Sequence, residues 1–228
     1  MDARSRSAVV TGASSGIGLA IAKRLVDDGW RVIGLSRSRP EWRNSGFEHR
    51  AVDVADRPAL LEALRGLAPD AVVHAAGVLK TGRLGELDPA DAAAMWQLHV
   101  AAAESLAQAL VPAMPDGGRI VLIGSRTASG SPGRSQYAAT KAALVAMARS
   151  WAAELAPRGI TVNVVAPAAT RTPMLADPAR ASVQPKLPPI GRFIRPEEVA
   201  ATVSFLLSDG AAAITGQQIV ICGGASLT

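Results

Sequence analysis

The sequence predicts one α/β domain built on a doubly wound, seven-stranded parallel sheet with helices on both faces. Three observations predict it. Seven short apolar runs rich in β-branched residues recur along the chain, longer helical patterns separate most of them, and a glycine-rich loop joins the first run to the first helix. At 228 residues and 49% hydrophobic content, the chain is long enough to bury one substantial core.

Ser7–Thr11 reads as the first strand and Gly16–Asp28 as the first helix. Arg31–Leu35 and Glu48–Val52 are the second and third strands, Pro58–Leu67 is a helix, and Ala71–His74 is the fourth strand. A long alanine-rich helix is expected over Ala90–Val111. Asp88 is placed to cap it and Pro89 to open it, since the first helical position needs no amide partner. Arg119–Ile123 is the fifth strand, Tyr137–Ala156 a helix, Ile160–Val165 the sixth strand, Pro196–Leu207 a helix and Gln218–Ile221 the seventh strand. In such a sheet ligands collect beyond the carboxyl ends of the strands, so chemistry is expected in the residues just after each one. The one long irregular stretch, Ala166–Arg195, follows the sixth strand, and its portion from residue 172 to 195 reads as a substrate lid. It mixes apolar Met174, Leu175, Val183, Leu187, Ile190 and Phe193 with basic Arg180, Lys186 and Arg192.

A net charge of +5 raises nucleic acid as a partner, but the arginines are scattered and lysine occurs only at positions 23, 80, 141 and 186. No basic run exists to track a phosphate backbone, so no nucleic-acid partner is expected. No apolar run reaches the ~18 residues that cross a bilayer, and the first residues lack the apolar segment of a secretory signal. No membrane association is expected. Cys222 is the only cysteine, which rules out an intrachain disulfide and suits a reducing cytoplasm, the expected location. No metal is expected.

The loop after the first strand reads Thr11-Gly12-Ala13-Ser14-Ser15-Gly16-Ile17-Gly18. Its glycines let the backbone turn sharply and approach a pyrophosphate, while the next helix offers unpaired amides and the positive end of its dipole. Ser14 and Ser15 add hydroxyl donors. The bland alternative is a turn that merely connects strand to helix. The second strand then ends at Leu35-Ser36-Arg37. An acid in this place accepts from the adenosine ribose hydroxyls of NAD and would repel the extra phosphate of NADP. Ser36 is no acid, and the Arg37 guanidinium can grip a phosphate through two parallel hydrogen bonds. NADP(H) is therefore the expected cofactor, the alternative being that Arg37 is simply a solvated surface arginine.

The only tyrosine of the chain lies in Ser135-Gln136-Tyr137-Ala138-Ala139-Thr140-Lys141. Residues four apart share a helix face, so Tyr137 and Lys141 point the same way. A phenol has a pKa of about 10, and a positive charge ~5 Å away at an effective dielectric of about 20 supplies roughly 3 kcal/mol. That is about two pKa units, enough to bring Tyr137 towards use as a general acid or base. Ser125, just past the fifth strand, puts a hydroxyl at the same edge, where it could donate to an oxygen on which charge builds. Taken singly, the pair also reads as a core tyrosine beside a surface lysine, and Ser125 as a turn cap.

Thr11–Gly18, Ser125 and the Tyr137-x-x-x-Lys141 spacing together resemble the short-chain dehydrogenase/reductase family, whose compact members have a Rossmann-type fold. The resemblance runs from about Ser7 to the end and takes in Asp53-Val54, Ala75-Ala76-Gly77, Val162–Pro167 and Ile214-Thr215-Gly216-Gln217. It implies Tyr137 as proton donor or acceptor, Lys141 as holder of the nicotinamide ribose, and Ser125 as the group orienting the substrate oxygen. It also implies adenine contacts from Asp53 and Val54, a lining of the adenosine half by Ala75, Ala76 and Gly77, and contacts from Thr170 and Thr172, after Pro167, to the carboxamide and diphosphate region. Three positions depart from the family pattern. His99 stands where an asparagine usually supports a proton relay, and is either a replacement relay group or a packed helix residue. His74 stands at the first of two usual asparagines and is read as structural, and Pro167-Ala168 replaces a usual Pro-Gly.

The resemblance implies an NADP(H)-dependent oxidoreductase that moves a hydride between nicotinamide and a carbonyl or secondary-alcohol carbon of a small molecule. A narrower alternative is a reductase of 3-oxoacyl thioesters on an acidic carrier protein. From a different class comes a non-catalytic cofactor-binding scaffold or sensor, which would have no need for Ser125, Tyr137 and Lys141 together. The long helices at Ala90–Val111 and Tyr137–Ala156 present small apolar faces, and the resemblance implies a homodimer or homotetramer.

Overall fold

The structure, a computed structural model, describes residues 5–176 and 186–227. Its strands are β1 (Ser7–Thr11), β2 (Arg31–Ser36), β3 (Phe47–Ala51), β4 (Ala71–His74), β5 (Arg119–Ile123), β6 (Thr161–Pro167) and β7 (Gln218–Ile221). All pair in parallel, in the order β3-β2-β1-β4-β5-β6-β7. The chain first winds outward from β1 to β3, then crosses back to β4 and winds the other way. That reversal leaves a crevice beyond the carboxyl ends of β1 and β4, the place where this architecture binds ligands.

The helices are α1 (Gly16–Asp27), α2 (Arg57–Leu64), α3 (Pro89–Trp96), α4 (Ala102–Leu110), α5 (Ser135–Leu155) and α6 (Pro196–Leu206). Side chains alternate across the strands, so each strand feeds two cores. Val9, Val72, Ile120, Leu122, Val162 and Val164 meet α2, α4 and α5 on one face. Ala8, Val10, Val73, Val121, Ile123 and Val165 meet α1 and α6 on the other. The near-continuous apolar runs of the central strands follow from this double coverage. Each fully buried Ile or Leu here contributes about 1.5–3 kcal/mol.

The expected long helix over Ala90–Val111 is interrupted. It starts as read, with the Asp88 side chain accepting from the Ala90 amide and Pro89 in the first turn. A π-helical turn then spans Gln97–Ala101 before α4 begins. Within that turn the Leu98 carbonyl meets the His74 ring and the His99 ring accepts from the Val78 amide. α2 stops at Leu64 rather than Leu67, because Gly66 adopts φ +75° two residues later. β3 runs from Phe47 to Ala51, not Glu48 to Val52, although the Val52 amide still donates to the Ser36 carbonyl.

β6 holds a fully buried asparagine, Asn163. Its side-chain amide donates to the Ile214 carbonyl at 2.7 Å and its side-chain oxygen accepts from the Gln217 amide at 3.0 Å, tying the segment before β7 to the sheet. Of the lid expected over 172–195, residues 177–185, with Arg180 and Val183, lie outside the described residues. Thr170 and Ile194 form an isolated bridge that joins the two ends of the loop. No helix among the described residues is long and apolar enough to cross a membrane.

Candidate active site

A cleft of about 820 Å³ opens beyond the carboxyl ends of the strands, lined among others by Ile17, Ala75, Gly77, Ser125, Tyr137 and Lys141. At its β1 end the glycine loop is held by close packing. Gly12 has φ +68°, and a side chain there would lie 2.9 Å from the Ala76 backbone. A methyl on Gly18 would lie 2.2 Å from the Gly12 carbonyl oxygen. Ser15 occupies the N-cap of α1, yet its side chain makes no capping hydrogen bond, so the first amides of the helix are left for another acceptor. Ser36 is buried at the end of β2, bonded to the Ser38 carbonyl and the His49 ring, and Arg37 beside it is exposed.

Tyr137 and Lys141 lie one turn apart on α5. Tyr137 is half-buried in the cleft wall, and the Lys141 ammonium is 5.8 Å from the centre of its ring. Lys141 is buried, with Nζ donating to the Ile123 carbonyl at 2.9 Å. Burial pushes its pKa down to about 7, because an ammonium loses hydration there. The lysine is therefore not the permanent charge of an exposed side chain, and its own proton is labile near neutrality. Ser125 caps a short 3-10 turn: its hydroxyl accepts from the Thr127 amide at 3.2 Å and lies 2.9 Å from the Thr127 hydroxyl.

Behind these groups runs a buried hydrogen-bond network. The Val78 amide donates to His99 Nε2 at 3.0 Å, so a neutral His99 carries its proton on Nδ1 and donates to Thr140 Oγ1 at 2.8 Å. The Thr140 hydroxyl in turn donates to the Tyr137 carbonyl. His74 has the opposite tautomer. Its Nε2 faces the Leu98 carbonyl at 3.2 Å, leaving Nδ1 to accept from Thr11 Oγ1 at 2.9 Å, and Thr11 itself accepts from the Ala75 and Ala76 amides. Desolvation, and then the Lys141 charge, hold His74 down to about 3 and His99 lower still. Both rings are neutral.

Ile17, Ala75, Gly77, Ser125, Tyr137, Lys141, Pro167, Thr170 and Thr172 line the cleft together. Gly12, Ser14, Ser15, Gly16, Gly18, Ser36 and Arg37 lie at the same sheet edge, towards β2, outside the cleft lining. His99 sits behind the wall rather than in it, its ring edge-on to that of Tyr137 with the two centroids 5.7 Å apart. Asp53 caps its own turn by accepting from the Ala55 amide, and Val54 is buried in the core cluster of α2 and α4. Several lining residues were not singled out in the sequence: Leu79, Arg126, Thr127, Arg134 and Pro188. Arg126 alone had a readable signal, its place directly after Ser125.

The family model described as enoyl-(acyl carrier protein) reductase matches residues 12–226. The 3-oxoacyl-(acyl-carrier-protein) reductase of Salmonella typhimurium is 36% identical over 241 residues, covering 98% of this chain and 98% of that protein. A short-chain dehydrogenase/reductase from Serratia marcescens superposes with a TM-score of 0.84 at 33% identity, covering 97% and 98% of the two chains. A blue fluorescent protein from a metagenomic library, solved in complex with NADPH, has a TM-score of 0.84 at 30% identity over 96% and 97%.

Proposed function

The chain belongs to the short-chain dehydrogenase/reductase family of oxidoreductases, and from that premise we propose that it is NADP(H)-linked and interconverts a carbonyl and a secondary alcohol, with Tyr137 as general acid and base. The observation that carries this reading is the convergence of Tyr137, Lys141 and Ser125 on one cleft at the carboxyl edge of the sheet.

The residues present fit the dinucleotide. Close packing of Gly12 against the Ala76 backbone and of Gly18 against the Gly12 carbonyl fixes the loop at the start of α1, and the α1 amides lack a side-chain cap. These features suit a diphosphate. The buried hydroxyl of Ser36 and the exposed Arg37 favour the extra phosphate of NADP over an unphosphorylated ribose, and the NADPH-bound structural relative agrees with that preference. Gly12, Ser14, Ser15, Gly16, Ile17 and Gly18 would hold the diphosphate, Ala75, Ala76 and Gly77 the adenosine half, and Thr170, Thr172 and Lys141 the nicotinamide half. Asp53 and Val54 would contact adenine. When bound, the cofactor supplies or accepts the hydride.

The side chains do the rest. In reduction the Tyr137 hydroxyl donates its proton to the carbonyl oxygen, and in oxidation the phenolate takes it back. Ser125 donates to the same oxygen as negative charge develops. Lys141, when protonated, favours the phenolate and makes the phenol a better donor. Of the two roles open to His99, its buried neutral ring supports a positioning one: through Thr140 it steadies the backbone of Tyr137, and through Val78 the loop after β4.

Tyr137→Phe should abolish turnover of a mixed panel of ketones, aldehydes, quinones and thioesters, followed as NADPH consumption. NADPH affinity should stay within about threefold, because the phenol is not a main cofactor anchor. Retained turnover in that variant would overturn the assignment. The similarity to the Salmonella enzyme favours one narrower reading, reduction of 3-oxoacyl thioesters, and turnover confined to the thioesters of that panel would select it. A homodimer or homotetramer, to be read by sedimentation velocity, and a cytoplasmic location belong to the same proposal.

A further inference from the structure

Resting on the oxidoreductase reading, we propose that the substrate carries an anionic group of its own, a carboxylate or a phosphate, and that Arg126 binds it. Among the described residues four cationic side chains line the cleft, Arg126, Arg134, Lys141 and Lys186, and no aspartate or glutamate does. Some arginines outside the cleft meet acids, among them Arg24 with Asp28, Arg50 with Glu48, Arg65 with Glu62, Arg158 with Asp116, and Arg192 with Glu198. Arg126 has no such pairing among the described residues, although it is half-buried. A guanidinium held in a partly desolvated wall without a counter-ion is costly, and an incoming anion offsets that cost.

Its place separates it from the cofactor's own charges. The glycine loop reaches the cleft only through Ile17, whereas Arg126 directly follows Ser125, the hydroxyl assigned to the reacting oxygen. The turn after β7 reaches the same cleft through Ala225. That turn is held in place by the Ile190 amide donating to the Gly223 carbonyl at 3.1 Å. Leu79, Leu175, Leu187, Pro188 and Pro189 supply an apolar lining. The combination fits a substrate with an apolar body and an anion a few bonds from its carbonyl, gripped by two parallel hydrogen bonds from the guanidinium.

The test uses oxo acids of four to eight carbons, their methyl esters, and the matching oxoalkyl phosphates. Wild type should reduce an anionic member at least tenfold better than its ester in kcat/KM, and whichever anion leads identifies the class. Arg126→Gln should lose about 30-fold or more on the anion, mainly through KM, with Arg126→Lys between the two. The ester and the NADPH affinity should change less than twofold. Equal use of acid, phosphate and ester by wild type, or a proportional loss on all three in Arg126→Gln, would overturn the proposal. A binding measurement separates this from the reaction itself. NADPH-loaded Tyr137→Phe protein, titrated calorimetrically with the same compounds, should bind an anion at least tenfold tighter than its ester, and only while Arg126 is present. If no compound is reduced but this difference holds, the redox reading fails and the anion site stands. If ketones are reduced but no anion binds more tightly than its ester, the anion site fails alone.

Discussion

His74 and His99 are joined to the backbone through fixed, opposite tautomers, and the native network has no place for a second proton on either ring. Both have folded pKa values far below the ordinary 6.5. Below pH 6.5 the unfolded chain therefore binds two protons that the native chain does not, so stability is retained above that pH and lost as pH falls. The slope should approach about 1.4 kcal/mol per pH unit for each histidine. Urea midpoints measured between pH 7 and 4 should fall accordingly, and His74→Asn with His99→Asn should flatten the profile. An unchanged slope in the double variant would show that other groups carry it. Lys141, pushed down to about 7, works in the same sense at higher pH: the unfolded chain keeps that proton up to about 10.5, so stability continues to rise with pH. At this scale the sequence was informative where spacing does the work. Tyr137 and Lys141 had to share a face, and Ser125 had to follow its strand. Arg126 was readable only as the neighbour of Ser125, because the wall around it is built by distant segments.

Among the elements, the glycine loop is the least tolerant of change. Gly18→Ala would drive a methyl into the Gly12 carbonyl, 2.2 Å away, so either the loop or the start of α1 must move. We expect a loss of about 3 kcal/mol in stability and at least a tenfold rise in the NADPH dissociation constant, measured by denaturant melts and by fluorescence titration. β1, β4, β5 and β7 were legible to the residue, because each is a short β-branched run. The π turn at Gln97–Ala101 was not. Its residues carry ordinary helical preference, and the register shift goes with the Leu98 carbonyl and His99 ring meeting His74 at the end of β4 and Val78 in the loop after it, which no local pattern encodes. The end of α2 was misplaced for a simpler reason: Leu67 continued the apolar pattern beyond the Gly66 turn that had already broken the helix.

Across the whole molecule, a ligand bridging the β1 loop and the α5 cleft should stabilise the fold as a unit. NADPH at 100 times its dissociation constant contributes about 2.7 kcal/mol, and a chain of this size gains about 2–4 °C in Tm per kcal/mol. A rise of about 5–11 °C is expected in a calorimetric scan, with a clearly smaller rise for NADH at the same concentration. An equal rise with both would remove the role given to Ser36 and Arg37. The doubly wound sheet was readable from the alternation of strands and helices, since two apolar faces per strand leave few other ways to exclude water. The order in which its parts become available during synthesis carries one more consequence. Asn163 draws both its side-chain partners from Ile214 and Gln217, so while the ribosome still holds those residues, its amide has nothing native to bind. Burying it early would cost about 1–3 kcal/mol. The newborn chain can assemble β1 to β5 as they emerge, but β6 gains its full set of bonds only after Ile214 and Gln217 have followed it out.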